Sequence, residues 1–344
     1  MKKLYRLLTN WEQWNFFVLY LPLLPVWAWY CIKSRSLWFF SASNPTITFG
    51  GLEGEGKKEM YDQLPDSYYP KTQYVEPGTD ADQALQAIRA TGFELPFVVK
   101  PDIGMKGILF RKIDHWQQWE HYHRQLPVTY LVQELVEYPM EISVFYYRFP
   151  DSEKGVISGC IQKELLQVVG NGRLSLQTLI AQHPRASLRW QEMKHRHGDR
   201  FDWIVPDGEA YFLSYAGNHN RGARFIDLMH EVDESILSFF DRLSRQTSFY
   251  YGRYDIKCLS LQTLKEGHSF SILEFNGCGA EPNHIYDAGL SIWQAYRILL
   301  HHWRVLYRIS AHNHRNGHHY WSFLRGWRFL RGARRHFALL EAID

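Results

Sequence analysis

Two segments in the second half of the chain carry the clearest alternation of hydrophobic and polar positions. One is Tyr250–Leu261, "YYGRYDIKCLSL"; the other is Ser269–Gly279, "SFSILEFNGCG". Period-two alternation predicts strands, and their proximity predicts an antiparallel pair. The second strand sets a carboxylate, Glu274, and an amide, Asn276, two positions apart on one face, with Leu273 and Phe275 on the other. Asp255 points inward from the first strand. Side-by-side hard oxygen donors suit a magnesium ion, although an E-x-N pair alone also describes an ordinary solvent face.

Earlier in the chain, Phe97–Val98–Val99 reads as a short buried strand ending in Lys100 and Pro101. A glycine-containing turn over Gly104–Met105–Lys106–Gly107 and a return strand over Ile108–Phe110 complete a hairpin with a basic tip. Backbone amides at such glycines can wrap phosphate oxygens, with Lys100 and Lys106 supplying charge. In "YLVQELVEYPMEISVFYY", Glu134 ends one strand and Glu141 opens the next. Asn171–Gly172 predicts a turn, and Ser175 caps a short helix through Ile180. A longer helix is expected from Asp233 to Ser248. Between Asn44 and Met60, glycines 50, 51, 54 and 56 lead into a helix from Lys57. A loop of this kind suits binding of a substrate carboxylate or a lipid phosphate, without the spacing of a Walker motif.

The two ends differ from this middle. Phe16–Ile32 carries no charge, contains Pro22 and Pro25, and has Lys2, Lys3 and Arg6 before it and Lys33 and Arg35 after it. Basic residues on both flanks favour a helical hairpin lying in a membrane surface over a single crossing. A cleaved signal segment and a buried core hairpin are the other readings. From Asp287 to Glu341 there is no Asp or Glu but nine arginines, interleaved with aromatics as in "YWSFLRGWRFLRGARRHF". Trp321, Leu324, Arg328 and Arg331 follow helical spacing, as in a helix on an anionic membrane. Nucleic acid would use the same residue types but is not the expected partner. The histidines of this stretch lack accompanying carboxylates or thiols, which disfavours a metal there.

Composition adds little to this division. A chain of 344 residues with 45% hydrophobic and 22% charged positions is globular. The net charge of +3 is small, and four separated cysteines form neither a disulfide framework nor a zinc motif.

Taken in order, these pieces resemble the ATP-grasp superfamily, which includes D-alanine–D-alanine ligase and cyanophycin synthetase. Lys100 matches the lysine before the phosphate hairpin, and Gly104, Lys106 and Gly107 match the hairpin tip. Glu134, with the adjoining Leu135, matches the adenine hinge; Glu141 matches the ribose carboxylate; Lys163 matches the second phosphate lysine. "GNGRLSLQTLI" resembles the family's G-D-G-x-x-T-x-x-E-L-I stretch, with Asn171 for the Asp and Thr178 for the Glu. "GNHNRGA" resembles its N-x-S-x-G-G stretch, which would set Asn218, Asn220 and Arg221 against the acyl phosphate. Asp255, Glu274 and Asn276 match the metal ligands. The family's N-P-x-P-G is replaced by Asn276–His284, so the acceptor should differ from D-alanine.

The resemblance, over residues 70 to 290, implies an α+β fold: an ATP-grasp fold of two α+β subdomains gripping ATP. Membrane-interfacial helical segments flank it. Residues 1–35 form the membrane hairpin and 36–75 a reduced N-terminal substrate- or anion-binding segment. Residues 76–290 form the ATP-grasp domain and 291–344 the basic, aromatic amphipathic tail. ATP and two Mg2+ ions are the implied cofactors. The implied reaction is carboxylate–amine ligation through an acyl phosphate, with Arg221, Lys163 and Asn218 in catalytic roles. The interfacial ends suggest a lipid-linked or envelope substrate joined to an amino acid or small carboxylate at the cytoplasmic face of the membrane. A kinase acting on a hydroxyl and a catalytically silent membrane scaffold are the alternatives.

Overall fold

The computed structural model describes residues 11–105, 107–214, 217, 219 and 222–344. Lys2, Lys3 and Arg6, assigned above to the basic flank, lie outside them. Two antiparallel sheets organise the chain. In the first, the order is β1 (Thr72–Val75), β4 (Tyr130–Glu134), β2 (Phe97–Pro101) and β3 (Arg111–Ile113). In the second, it is β11 (Phe270–Asn276), β10 (Tyr251–Cys258), β5 (Met140–Tyr147), β6 (Val156–Glu164) and β9 (Arg224–Asp227). A hairpin of β7 (Gln167–Val169) and β8 (Ala210–Phe212) stands beside the second sheet. The architecture is α+β, and the first sheet begins at Thr72, inside the segment assigned above to 36–75.

The predicted strand pair Tyr250–Leu261 and Ser269–Gly279 forms as β10 and β11, with Asp255 opposite Glu274 and Arg253 opposite Asn276. A bulge follows, because Ile256 pairs with Ile272 and Leu273 is left without a cross-strand partner. A bulged residue re-aims its neighbours. Here the freed Leu273 carbonyl accepts from the Tyr61 hydroxyl at 2.6 Å. The long helix runs Glu234–Thr247, with Asp233 capping its first amides and Ser248 in the left-handed region at its end. Ser175 likewise caps Leu176–Gln182. The hairpin prediction needs correction: Gly107–Leu109 is still turn, and the return strand starts at Arg111. Leu109 adopts φ 51° and is buried, because the Tyr122 hydroxyl binds its carbonyl and the Asp344 carboxylate accepts from its amide.

One face of the second sheet is apolar throughout. Ile142, Val144, Tyr254, Ile256 and Ile272 pack there on Phe239, Phe240 and Leu243 of the 234–247 helix. The other face changes character along its strands. Tyr147, Phe145 and Tyr251 at one end pack beneath the helix Ile292–Arg315 and on Phe39 and Phe49. Arg253, Asp255, Ser143, Glu141 and Lys163 follow at the other end.

The N-terminal apolar segment is not a hairpin. Phe16–Tyr20, a tight turn over Leu21–Leu23 and Leu24–Ser34 continue one another, with helical backbone angles through both joints. Pro22 and Pro25 sit in first-turn positions, where the missing N–H costs nothing, so they bend the helix instead of reversing it. By length and composition Phe16–Ser34 is apolar enough to cross a membrane. One side packs on the 292–315 helix through Leu19, Leu23, Trp27 and Tyr30. Phe17 (79% exposed) and Ile32 (69%) lie open. The basic tail is also more embedded than its amphipathic pattern suggests. In Phe323–Ile343, Ala333, Phe337 and Leu340 join the core of the first sheet, while Phe323, Leu324 and Trp327 stay exposed.

Candidate active site

The charged floor of the second sheet follows from strand alternation. Arg253, Asp255 and Lys257 of β10 share a face with Glu141 and Ser143 of β5 through the pairs Asp255–Ser143 and Lys257–Glu141. Lys163 reaches in from β6, 3.0 Å from Asp255 Oδ1 and 3.3 Å from Glu141 Oε1. Asp255 also accepts from the Ser143 hydroxyl at 2.5 Å and from Arg253 Nε and Nη2, both at 3.2 Å. The Asn276 amide nitrogen approaches its Oδ2 at 3.4 Å. Burial alone would raise the pKa of Asp255, but the Arg253 guanidinium, the Lys163 ammonium and the Ser143 hydrogen bond hold it well below the usual carboxylate range. Burial likewise works against the charge on Lys163, and Asp255 and Glu141 more than offset it.

Glu274 lies one strand over. Its side chain is 37% exposed, and among the described residues it pairs with Lys57, at 3.7 Å. Lys57 comes from the first turn of the short helix Lys57–Tyr61 and also reaches the carbonyls of Asp102 and Gly104, at 3.3 and 3.5 Å. Lys100 of β2 joins this group from the first sheet. Burial, then the neighbouring Lys57, bring its pKa down to about 7 against the opposing pull of Glu274 and Asp102. Glu55 completes the group. Burial pushes its carboxyl up to about 7, with Glu274 adding to the rise and Lys57 opposing it. Its Oε2 is buried and makes no hydrogen bond among the described residues.

The remaining predicted residues fall in three places. Gly104 and Gly107 flank the hairpin tip, Gly107 at φ 73°. Glu134 ends β4, but its carboxylate accepts from the Lys71 amide at 3.4 Å, on the side of the strand shared with Tyr130 and Val132 and not with Lys100. Leu135 is half-buried beside it. The segment facing the floor is instead Glu137–Pro139. With Glu141, Lys163 and Lys257 it lines a cavity of about 1090 Å³ that continues to Val168 and His183, roomy enough for a small-molecule ligand. Lys257 fixes this segment by donating to the Val136 carbonyl at 2.8 Å. Lys106, Asn218, Asn220 and Arg221 lie outside the described residues. Gly217 itself packs on the floor: a Cβ there would stand 2.6 Å from Glu141 Oε1 and 2.9 Å from Lys163 Cδ.

The glycines of residues 50–56 allow close backbone contacts. Cys278 and Gly279 donate their amides to the carbonyls of Gly50 and Gly51, at 3.0 and 2.8 Å. A Cβ on Gly51 would meet Gly277 Cα at 2.7 Å, so two backbones touch where side chains would not fit. The following helix N-terminus is already taken by the chain's own carboxylate, Asp102, which accepts from the Lys58 amide at 2.9 Å.

Arg253, Lys57 and Glu55 were not singled out from the sequence. Arg253 carried a signal, since it lies two residues before Asp255 on an alternating strand. Lys57 and Glu55 reach the site only through tertiary packing. The oxygen-only set of Asp255, Glu274 and Asn276 on one face fits magnesium. The surplus of nearby cations fits the phosphates that accompany it.

No family model matches this chain, and no curated protein is similar to it. It is similar to several solved structures. One is a bifunctional glutathione synthetase from Pasteurella multocida, at 16% identity over 72% of this chain and 36% of that one, TM-score 0.39. A second is the VanG D-Ala:D-Ser ligase from Enterococcus faecalis, at 13% identity over 73% and 61%, TM-score 0.42. A third is the ATP-grasp ligase PsnB complexed with minimal precursor, at 12% identity over 71% and 59%, TM-score 0.37. The chain spans between about a third and two thirds of the length of these proteins.

Proposed function

We propose that this chain is an ATP-dependent carboxylate–amine ligase of the ATP-grasp type, working through an acyl phosphate on a membrane- or lipid-linked substrate. The observation that carries the reading is the approach of Lys100 from one sheet to Glu274 of the other, which stands opposite Asp255 and its partner Lys163, with a cavity lined by Lys163 and Glu141 beside them. Phosphoryl transfer needs mainly positioning and charge neutralisation, and the floor supplies both. Magnesium held by Asp255, Glu274 and Asn276 would add Lewis-acid charge to the phosphates. Lys163 and Lys100 balance the triphosphate, and Arg253 stands beside Asp255 to meet charge that develops on the acyl phosphate. A carboxylate oxygen takes the terminal phosphoryl group and ADP leaves; an amine then attacks the acyl carbon and phosphate leaves.

The membrane part of the reading is supported by the exposed side of Phe16–Ser34, with Trp293 (76% exposed), Phe323 and Trp327 open on the two C-terminal helices among basic residues. The cytoplasmic face is the side on which ATP is available.

The test is incubation of the purified protein with ATP, magnesium and pooled amino acids, with and without a lipid extract, following phosphate release and lipid mass. Lipid-dependent release of ADP and phosphate, with a mass gain of one amino acid less water, is the expected result. A gain of one phosphoryl group would replace the ligase with a kinase. Absence of turnover and of nucleotide binding would leave a scaffold.

A further inference from the structure

We propose that Lys57 is a third cation for the terminal phosphate of the nucleotide, delivered by the short segment before the first sheet. The proposal rests on the nucleotide reading above and deepens it. Lys57 is held in place from its backbone outward. Its amide donates to the Asp102 carbonyl at 3.3 Å, and the next amide donates to the Asp102 carboxylate. Gly56 packs so closely that a Cβ would lie 2.8 Å from Asp102 Oδ2. These contacts tie the start of the 57–61 helix to the end of β2, immediately after Lys100.

The side chain is sequestered, at 11% exposure, yet weakly satisfied. An ammonium has three donors and gains most from short, charge-assisted partners. Among the described residues Lys57 has two carbonyls at 3.3 and 3.5 Å and a carboxylate at 3.7 Å, none at the short distance of a strong ionic hydrogen bond. Those contacts also define where it sits: between the root of the phosphate hairpin at Gly104 and the candidate metal ligand Glu274. A cation bridging these elements lies where the end of a triphosphate must lie if Lys100 and Glu274 hold it. The chemistry it reads is the phosphoryl group at the γ position, so the ligands that need it are ATP and, less, ADP, and not AMP, whose single phosphate stays at the α position.

The experiment is calorimetric binding of Mg-ATP, Mg-ADP and AMP to the full chain and to Lys57→Met and Lys57→Arg, with thermal unfolding of each. The expected result is a Lys57→Met affinity for Mg-ATP about tenfold to a hundredfold weaker, AMP affinity within about twofold of the parent, and partial recovery in Lys57→Arg. Should Lys57→Met fail to fold, Lys57→Gln, which keeps a donor for the Gly104 carbonyl, takes its place with the same expected ratio. An unchanged ratio of ATP to AMP affinity in a folded variant overturns the role of Lys57 while leaving the nucleotide site standing. Failure of the parent protein to bind any of the three nucleotides overturns the site itself.

Discussion

Among the described residues, each charge at the Asp255 end of the charged floor has close partners, whereas at the Glu274 end partners are distant or missing. Asp255 is met by Ser143, Arg253 and Lys163, and Lys163 is met again by Glu141. Across one strand, Glu274 has Lys57 at 3.7 Å, and Glu55 leaves one buried oxygen unbonded. A filled network fixes strand positions and resists change, because any partner removed leaves a buried charge. A loosely satisfied group is held for something else. The contrast separates charges that already hold one another in place from charges that keep capacity for a further partner.

The largest expected effect comes from breaking the filled end. Asp255→Ala leaves Lys163 and Arg253 buried without their shared carboxylate, and a loss of about 3–5 kcal/mol is expected in denaturant unfolding. Glu274→Ala, at the more exposed position, should cost much less stability while removing turnover. Equal losses in the two variants would erase the contrast.

A second test is pH. The Glu55 carboxyl is raised in the fold, so its contribution is full below about pH 4.5 and is lost as pH rises through about 7. Glu55→Gln should therefore melt higher than the parent at pH 8, by up to ~3 kcal/mol, with the gap closing below pH 4.5. A gap that widened on acidification would show that Glu55 has an ionic partner.

The smallest effect is a proton. Lys100, lowered to about 7, is largely neutral in the free protein at pH 8 and charged beside phosphate. ATP binding at pH 8 should take up close to one proton, read as binding heats that depend on the buffer. Lys100→Arg, charged throughout, should abolish the uptake.

Much of the fold is written in local pattern. The caps at Ser175 and Asp233 place the starts of their helices to within a residue. Alternation in 250–261 and 269–279 put Asp255, Glu274 and Asn276 on one face, since a period of two admits little else. Contacts far apart in sequence were not legible. Nothing near Gly51 announces Gly277, and nothing in "GEGKKEM" says that Lys57 will meet Glu274. The tail misled for a related reason: its amphipathic spacing is the same whether the apolar side meets a membrane or, as Phe337 and Leu340 do, a sheet. At the N-terminus, two prolines read as a reversal act as helix starters, a distinction that depends on the turn each occupies.

The closure of Gly51 on Gly277 also sets an order of assembly during synthesis. Phe39, Phe40 and Phe49 find part of their cover on β5 and β10, and the rest on Val305, Leu306, Ile309, Trp321 and Phe329, which are made up to about 280 residues after Phe49. At roughly 5–20 residues per second, the ribosome completes that cover only about 14–56 s after Phe49 is made. The newborn chain thus spends that interval with three phenylalanines only partly covered, and its last helices finish a core that its first strands began.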